Sequence, residues 1–563
     1  MRKFLFLAFA IGLFLSCAEE NTSLEDVIST YNDYRKDIRS FSRWDLSDSL
    51  VQIEINGLTE ISNQLQKIDN SSLSAHDRIN YDMLRLIVMD DLYNLEYESH
   101  LMPLNAEGGF ITGLIYSTQS ARLRDSTSIS RYKEQLNHIP QYIGDQIERM
   151  NNGIAEKKVA PEVVVRNCIS ILDQQLNNRL EASFLYHPIA DLPVESKSEL
   201  SIIIKDESIP ALQGLRDYLS GTYLENVRDA DGVHDINGGK EYYEQRVRYF
   251  TTLEMTPDEV FQTGLDEVAR IKAEMNAIIN ELGFEGSFEE FLEFLRTDEQ
   301  FYAKTPQELL NHAAWLSKKA EEMLPRYFGK LPRLPFTVNP VPEAIAPTYT
   351  SGRYSPGSYR DNRAGQYWVN TFKLESRPLY ALPALTLHEA VPGHHLQGAL
   401  VQEMDEVPSF RNNYISAYGE GWGLYSEYLG KEAGIYTTPY EDFGRLTYEM
   451  WRACRLVVDP GIHYKGWDRQ QAIDYMASNT ALSMHEVTTE IDRYIGWPGQ
   501  AVSYKIGELK IRELRKRAEE KLGDHFDIRS FHDKVLENGA MPLSTLENII
   551  DQYIEDQLES VSS

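Results

Sequence analysis

The segment Leu385-Thr386-Leu387-His388-Glu389-Ala390-Val391-Pro392-Gly393-His394-His395-Leu396-Gln397 sets three imidazoles and one carboxylate among apolar positions. Polar groups so placed are costly to bury unless a cation neutralises them, so a metal site is the simplest reading. Zinc helices of the H-E-x-x-H type carry their two histidines four residues apart on one face, with the intervening Glu beside the first. Here Pro392 stands four residues after His388, and the next histidines are six and seven residues on. At about 100° per residue on a straight helix, His394 falls well off the face of His388, and His395 returns to it only about two turns away, so neither matches undistorted geometry. Pro392 supplies a remedy, because it lacks an amide hydrogen and collides with the carbonyl four residues back; a kink or π-type bulge then brings His394 round. Whether His394 or His395 is the second ligand stays open at this point. A third ligand is expected in Tyr418-Gly419-Glu420-Gly421-Trp422-Gly423-Leu424-Tyr425-Ser426-Glu427, where Glu420 sits between two glycines that permit close backbone approach. Glu427, seven residues on, shares nearly the same helical face and is suited to hold a ligand histidine by its second nitrogen.

The strings HEAVPGHHLQ, YGEGWGLYSE and PGQAVSYKIGELKIRELR resemble the bacterial proteins grouped as domain of unknown function 885, over nearly all of the chain. That family is similar in turn to the helical gluzincin-type zinc peptidases, among them angiotensin-converting enzyme, thimet oligopeptidase and carboxypeptidase Taq. The resemblance implies a large helical metallopeptidase-like fold with a deep cleft and a small sheet before the metal-binding helix. Residue by residue it implies His388, His394 and Glu420 as zinc ligands and Glu389 as general base. It also implies Tyr504 and His463 as donors to the developing oxyanion; packed core residues would look the same. The departure from the relatives is the two extra residues before the second histidine.

From this chemistry the expected activity is a zinc-dependent peptidase acting on short peptides, with Glu389 passing a proton from water to the leaving amine. Manganese or cobalt suits the same nitrogen and carboxylate donors. The competing reading is an envelope lipoprotein that binds a metal or peptide without turnover, and a metallohydrolase of other amides or esters would share every ligand. Arg353, Tyr354 and Arg360 precede the motif and are candidates to meet a substrate carboxylate.

Elements that position these groups are also legible. Apolar residues recur at helical spacing along most of the chain, so the fold is expected to be mostly α. Thr256-Pro257-Asp258-Glu259, Thr305-Pro306-Gln307-Glu308 and Asp468-Arg469-Gln470-Gln471 predict helix starts near 257, 306 and 469, and Ser287 with Glu290 predicts another. Between about 325 and 383 Pro, Gly, Tyr and Ser interrupt any helix, and Gln366–Thr371 is the best strand, expected as an edge for an extended peptide. The segment His485-Glu486-Val487-Thr488-Thr489-Glu490 has Thr489 where a second ligand belongs, and Glu490 with Arg493 reads as an ion pair.

The 563 residues carry 86 acidic and 56 basic side chains, a net charge of −30, which argues against a nucleic-acid partner. Residues 1–16 read as an export signal ending at a lipobox-like Phe14-Leu15-Ser16-Cys17, with Cys17 lipidated, residues 17–23 a tether, and membrane contact through that lipid alone. The expected location is the bacterial cell envelope. A polar, Gly-rich stretch at 228–240 suggests an N-terminal helical region, 24–230, before a catalytic one, 231–563, or one integrated domain. Cys168 and Cys454 are expected as buried thiols or one disulfide. Oligomeric state is left open.

Overall fold

The computed structural model describes residues 22–562 apart from 41–43, 178, 344–345, 347–348 and 405. The signal segment 1–16, Cys17 and the tether up to residue 21 lie outside the described residues. Helix accounts for 72% of the structure, and among the described residues there is one sheet, of three strands.

The helix starts follow from local capping. Thr256, Ser287 and Asp468 each accept from the backbone three residues on, and Glu259, Glu290 and Gln471 reciprocate, opening Pro257–Glu281, Phe288–Thr297 and Arg469–Asn479. At Pro306–Tyr327 the cap differs in detail: Thr305 accepts from Glu308 N–H, but the Glu308 carboxylate reaches the amide of Lys304 rather than that of Thr305. Thr438 and Glu441 form a further capping box before the long helix Pro439–His463.

Two large cores form. One joins helices between residues 110 and 223 to Pro257–Glu281, Pro439–His463 and Met484–Gly496; the other joins the helices of residues 24–96 to Ser416–Glu432, Ser503–Leu522 and Leu543–Ser562. Each draws on residues from both sides of position 230. Gly421 and Gly507 let Ser416–Glu432 and Ser503–Leu522 touch through their backbones, since a Cβ on Gly421 would lie 2.6 Å from Gly507 Cα. Fully buried Lys505 bridges Glu449 and Glu508, both at 2.7 Å, and Glu267 at 3.0 Å, tying three helices by charge. Cys168 and Cys454 are buried free thiols, and burial pushes Cys168 up to about 12.

The sheet runs β1 (Phe336–Pro340), β3 (Gly365–Val369), β2 (Gly352–Ser355), with β1 parallel and β2 antiparallel to β3. The strand read from Gln366–Thr371 therefore forms, but as the centre of the sheet and not an edge. Both of its edges are paired, with β1 on one side and β2 on the other, while Tyr367 and Val369 on one face are buried. The edge toward the histidine motif is β2, with Tyr354 opposite Tyr367.

Candidate metal centre

The histidine motif does not run as one kinked or bulged helix. It is split between Leu382–Glu389 and His394–Val401, with Ala390 and Gly393 in non-helical conformations and a cis Val391–Pro392 bond between them. Gly393 lies against the carbonyl of His388, where any side chain would collide, and Trp422 Nε1 donates to Pro392 O at 2.8 Å. The unusual spacing of the histidines is thus that of a helix end, a tight turn and a helix start. His388 closes the first helix and His394 opens the second, and their rings stand perpendicular with centroids 4.7 Å apart.

Ser416–Glu432 brings Glu420 to this turn. Its Oε2 lies 3.4 Å from His388 Nε2 and 3.6 Å from His394 Nε2, and all three donor atoms fall within 4.8 Å of one another. Hydrogen bonds from nitrogen to oxygen close to about 2.7–3.2 Å. Donors about 2.0–2.1 Å from a tetrahedral ion sit roughly 3.3–3.4 Å apart, so the observed gaps suit ligands around an ion better than direct bonds. His395 does not share the site: its Nε2 meets Leu334 O at 3.0 Å, its Nδ1 meets Tyr354 Oη at 3.2 Å, and burial lowers its pKa to about 4.

Surrounding groups fix the donors. His388 Nδ1 is 2.8 Å from Glu427 Oε1, and Glu427 is only 1% exposed. Gly423 presents bare backbone to the His388 ring. Tyr414 donates to Glu420 Oε1 at 2.8 Å, and Gly419 makes room for the Tyr414 ring. The two glycines flanking Glu420 therefore serve helix contact and an aromatic ring. Burial disfavours a charged His388, but the neighbouring carboxylates of Glu420 and Glu427 outweigh it and raise its pKa to about 10. Burial likewise opposes charge on Glu420, yet His388 and His394 hold its carboxyl well below the usual range. The cluster is built to keep one positive charge between two carboxylates.

Glu389 Oε2 accepts the backbone N–H of Tyr354 at 2.7 Å, which ties the β2 edge to the turn. Glu389, Glu420 and Tyr504 are the titratable neighbours of the Tyr414 phenol, which burial first and then these groups push well above its ordinary value. Half-buried Tyr504 has its ring 4.3 Å from the Arg455 guanidinium. His463 does not reach the triad by any bond. It is fully buried in the last turn of Pro439–His463, with Nε2 on Tyr494 O at 2.9 Å and Nδ1 accepting Val233 N–H at 3.2 Å; burial lowers its pKa to about 3. The resemblance to helical zinc peptidases puts it forward as an oxyanion donor, whereas both nitrogens serve backbone groups. Arg353 on β2 has Glu389 and Glu420 among its charged neighbours, and Arg360 is exposed at the β2–β3 turn. Glu490 binds Arg493 at 3.0 Å and also accepts from Arg455 and Tyr494. Tyr414 escaped the sequence reading because a lone loop tyrosine six residues before a Glu carries no periodic signal.

The family model described as bacterial protein of unknown function (DUF885) matches residues 42–550. The chain belongs to the DUF885 family. Two solved structures share its architecture. A presumed lipoprotein from Colwellia psychrerythraea is 27% identical, with a TM-score of 0.85 over 95% of this chain and all of the other. A presumed lipoprotein of unknown function from Shewanella oneidensis is 18% identical, with a TM-score of 0.74 over 94% and 99% of the two chains. No curated protein matches the sequence. Among the described residues of this DUF885 protein, no helix is long and apolar enough to cross a membrane.

Proposed function

We propose that this DUF885 protein is a zinc-dependent hydrolase that cleaves short peptides in the cell envelope, tethered there through Cys17. The observation that carries the reading is the donor triangle of His388, His394 and Glu420, with Glu389 adjoining it. Two imidazoles and a carboxylate suit zinc and leave a coordination position open. Such an ion, when bound, supplies a Lewis acid that polarises a carbonyl and lowers the pKa of a water to about 7.

The chain's own groups divide the remaining work. Glu427 orients His388 and fixes which ring nitrogen faces the ion. Tyr414 holds the second oxygen of Glu420. Glu389, kept in place by the Tyr354 amide, receives the water proton on its carboxylate and delivers it to the leaving amine. Tyr504 donates its phenol hydrogen to the developing oxyanion. His463 has no free nitrogen for that role. The exposed side of β2 lies beside Glu389 and offers main-chain groups to an extended peptide. Likeness to lipoproteins and the Phe14-Leu15-Ser16-Cys17 sequence support the envelope location, and the likeness of the three motifs to helical zinc peptidases supports the peptide substrate.

The test is metal analysis joined to a peptide-library assay. Purified protein should retain one zinc per chain, hydrolyse peptides and lose activity to a chelator. Glu389→Gln should keep the zinc and lose at least a thousandfold in kcat. Stoichiometric zinc without hydrolysis of any peptide would refute the proposal, as would failure to retain any divalent ion.

A further inference from the structure

Along the helix Pro439–His463, one face carries guanidinium groups that the rest of the protein leaves short of partners. Arg452 is buried with five N–H donors, yet its one hydrogen bond is to Tyr448 O at 3.3 Å; Glu427 Oε1 stands 3.8 Å from Nη2, and Nε has no partner. Arg377, on the loop leading into Leu382–Glu389, donates to Ser351 Oγ at 3.1 Å, and its Nε is buried and unpartnered. Arg455, one turn after Arg452, binds Tyr494 and Glu490 and keeps a buried Nη1 without a partner. Unmet buried donors of this kind are costly, and three on adjoining arginines call for an acceptor.

The acids nearby do not supply it. Glu490 is shared among Arg455, Arg493 and Tyr494, and Glu427, whose Oε1 serves His388, reaches Arg452 only at 3.8 Å and leaves its Oε2 without a hydrogen bond. Glu486 has Arg377, Arg452 and Arg455 as charged neighbours but forms no ion pair within 4.0 Å. Burial and Glu490 push Glu486 up to about 7, so near neutrality it is only partly charged. Four guanidinium groups, Arg377, Arg452, Arg455 and Arg493, are thus set against the three carboxyls of Glu427, Glu486 and Glu490, in a chain whose overall charge is −30.

This patch adjoins the proposed reaction centre at two points. Arg452 reaches it through Glu427 and His388, and Arg455 through the Tyr504 ring, which lies among the charged surroundings of Tyr414, the phenol that holds Glu420. Ser351, the residue bonded by Arg377, also faces the Tyr448 phenol, over whose ring Arg452 lies at 4.9 Å. Ser351 directly precedes β2, three residues before Tyr354, whose amide marks Glu389. Three extended residues span about 10 Å.

We propose that Arg377 and Arg452, with Tyr448 between them, form a subsite for a carboxylate of the substrate, two to three residues along an extended chain from the bond at Glu389. The position of that bond rests on the hydrolase reading; the anion subsite itself does not. A guanidinium pair suits a planar carboxylate because each presents paired donors at fixed spacing. The carboxylate belongs either to the peptide's C-terminus or to an acidic side chain, and the chemistry is the same.

The experiment measures binding without turnover. Glu389→Gln protein is titrated calorimetrically with acetyl-trialanine acid, its C-terminal amide, and acetyl-Ala-Glu-Ala-amide. The acid should bind at least thirtyfold more tightly than the trialanine amide, and Arg377→Gln and Arg452→Gln in that background should each erase most of the difference while leaving amide binding unchanged. If the Glu-containing amide also binds tightly, the subsite accepts a side-chain carboxylate; if it matches the plain amide, the terminal carboxylate is the ligand. Either result supports the subsite. Arg377→Gln serves alone if Arg452→Gln, which also loses contact with Glu427, does not fold by circular dichroism. Equal affinity for acid and amide, no binding of either, or a preference that survives both substitutions would overturn it. A preference for the acid in a protein whose wild type hydrolyses nothing would sink the hydrolase reading and leave the subsite standing.

Discussion

A single methyl group placed behind His388 tests the metal centre without touching any ligand. At Gly423 an added Cβ would lie 2.6 Å from His388 Cε1, 2.8 Å from Nε2 and 2.9 Å from Nδ1. Nonbonded carbon contacts settle near 3.5–4.0 Å, so the imidazole of a Gly423→Ala variant must withdraw by roughly 0.6–1 Å. It has little room, since Glu427 holds Nδ1 at 2.8 Å and the ring is buried. Metal sites tolerate about ±0.2 Å in donor distance, so a shift of that size should cost one ligand much of its bond. We expect zinc affinity to fall by about 10–100-fold, or about 1.4–2.8 kcal/mol, with overpacking lowering stability by about 1–3 kcal/mol. Gly398→Ala is the matched control on His394–Val401: its Cβ would meet Tyr354 Cε1 at an ordinary 3.5 Å, and the helix should gain about 0.5–1 kcal/mol. Competition titration with a zinc chelator dye gives the affinities and urea unfolding the stabilities. Wild-type zinc affinity in Gly423→Ala would refute the assigned geometry of His388.

Other predictions address the groups around the triad and the buried titratable residues. Glu427→Gln keeps an oxygen for His388 Nδ1 but removes its charge, and zinc affinity in the same titration should drop about tenfold or more. Asp459 is fully buried; burial raises its pKa to about 7 despite bonds from Tyr243 at 2.6 Å and Gly499 N–H at 3.0 Å. A raised carboxyl is neutral in the fold at low pH and loses stability as pH climbs from its unfolded value of about 4 through 7. Asp459→Asn should therefore match wild type near pH 4 and exceed it above pH 7 by up to about 4 kcal/mol, and a urea difference that does not grow with pH would contradict this. His463 and His532 are buried with pKa values lowered to about 3, so each loses stability as pH falls from about 6.5 toward 3, where only the unfolded chain takes up the proton. His463→Phe should leave zinc affinity unchanged and flatten part of the acid limb of the stability curve; a large loss of zinc binding would restore His463 to the site.

The helical architecture was legible because it is written in local rules. Capping residues such as Thr256 with Glu259 act over three positions, and apolar spacing needs no distant partner. The polar cluster was legible for a similar reason: His388, Glu389, His394 and His395 are too polar and too closely set among apolar residues to lack a charge partner, and the flanking glycines pointed to Glu420. Glu427 as the support of His388 followed from helical periodicity. The strand at 366–371 was found, but its neighbours were not, because β1 and β2 are poor in pattern and pairing is decided across the sheet.

What the chain alone determined, then, was a mostly helical fold, several helix starts and the kinds of side chain gathered at positions 388, 389 and 420. Only the folded molecule decided that the motif breaks into two helices, that His394 and not His395 faces Glu420, that His463 belongs to the core, and that Arg452 stands beside Glu427. Those outcomes turn on which backbone groups, rings and charges meet from segments tens to hundreds of residues apart, and such meetings leave no periodic trace in the order of the residues.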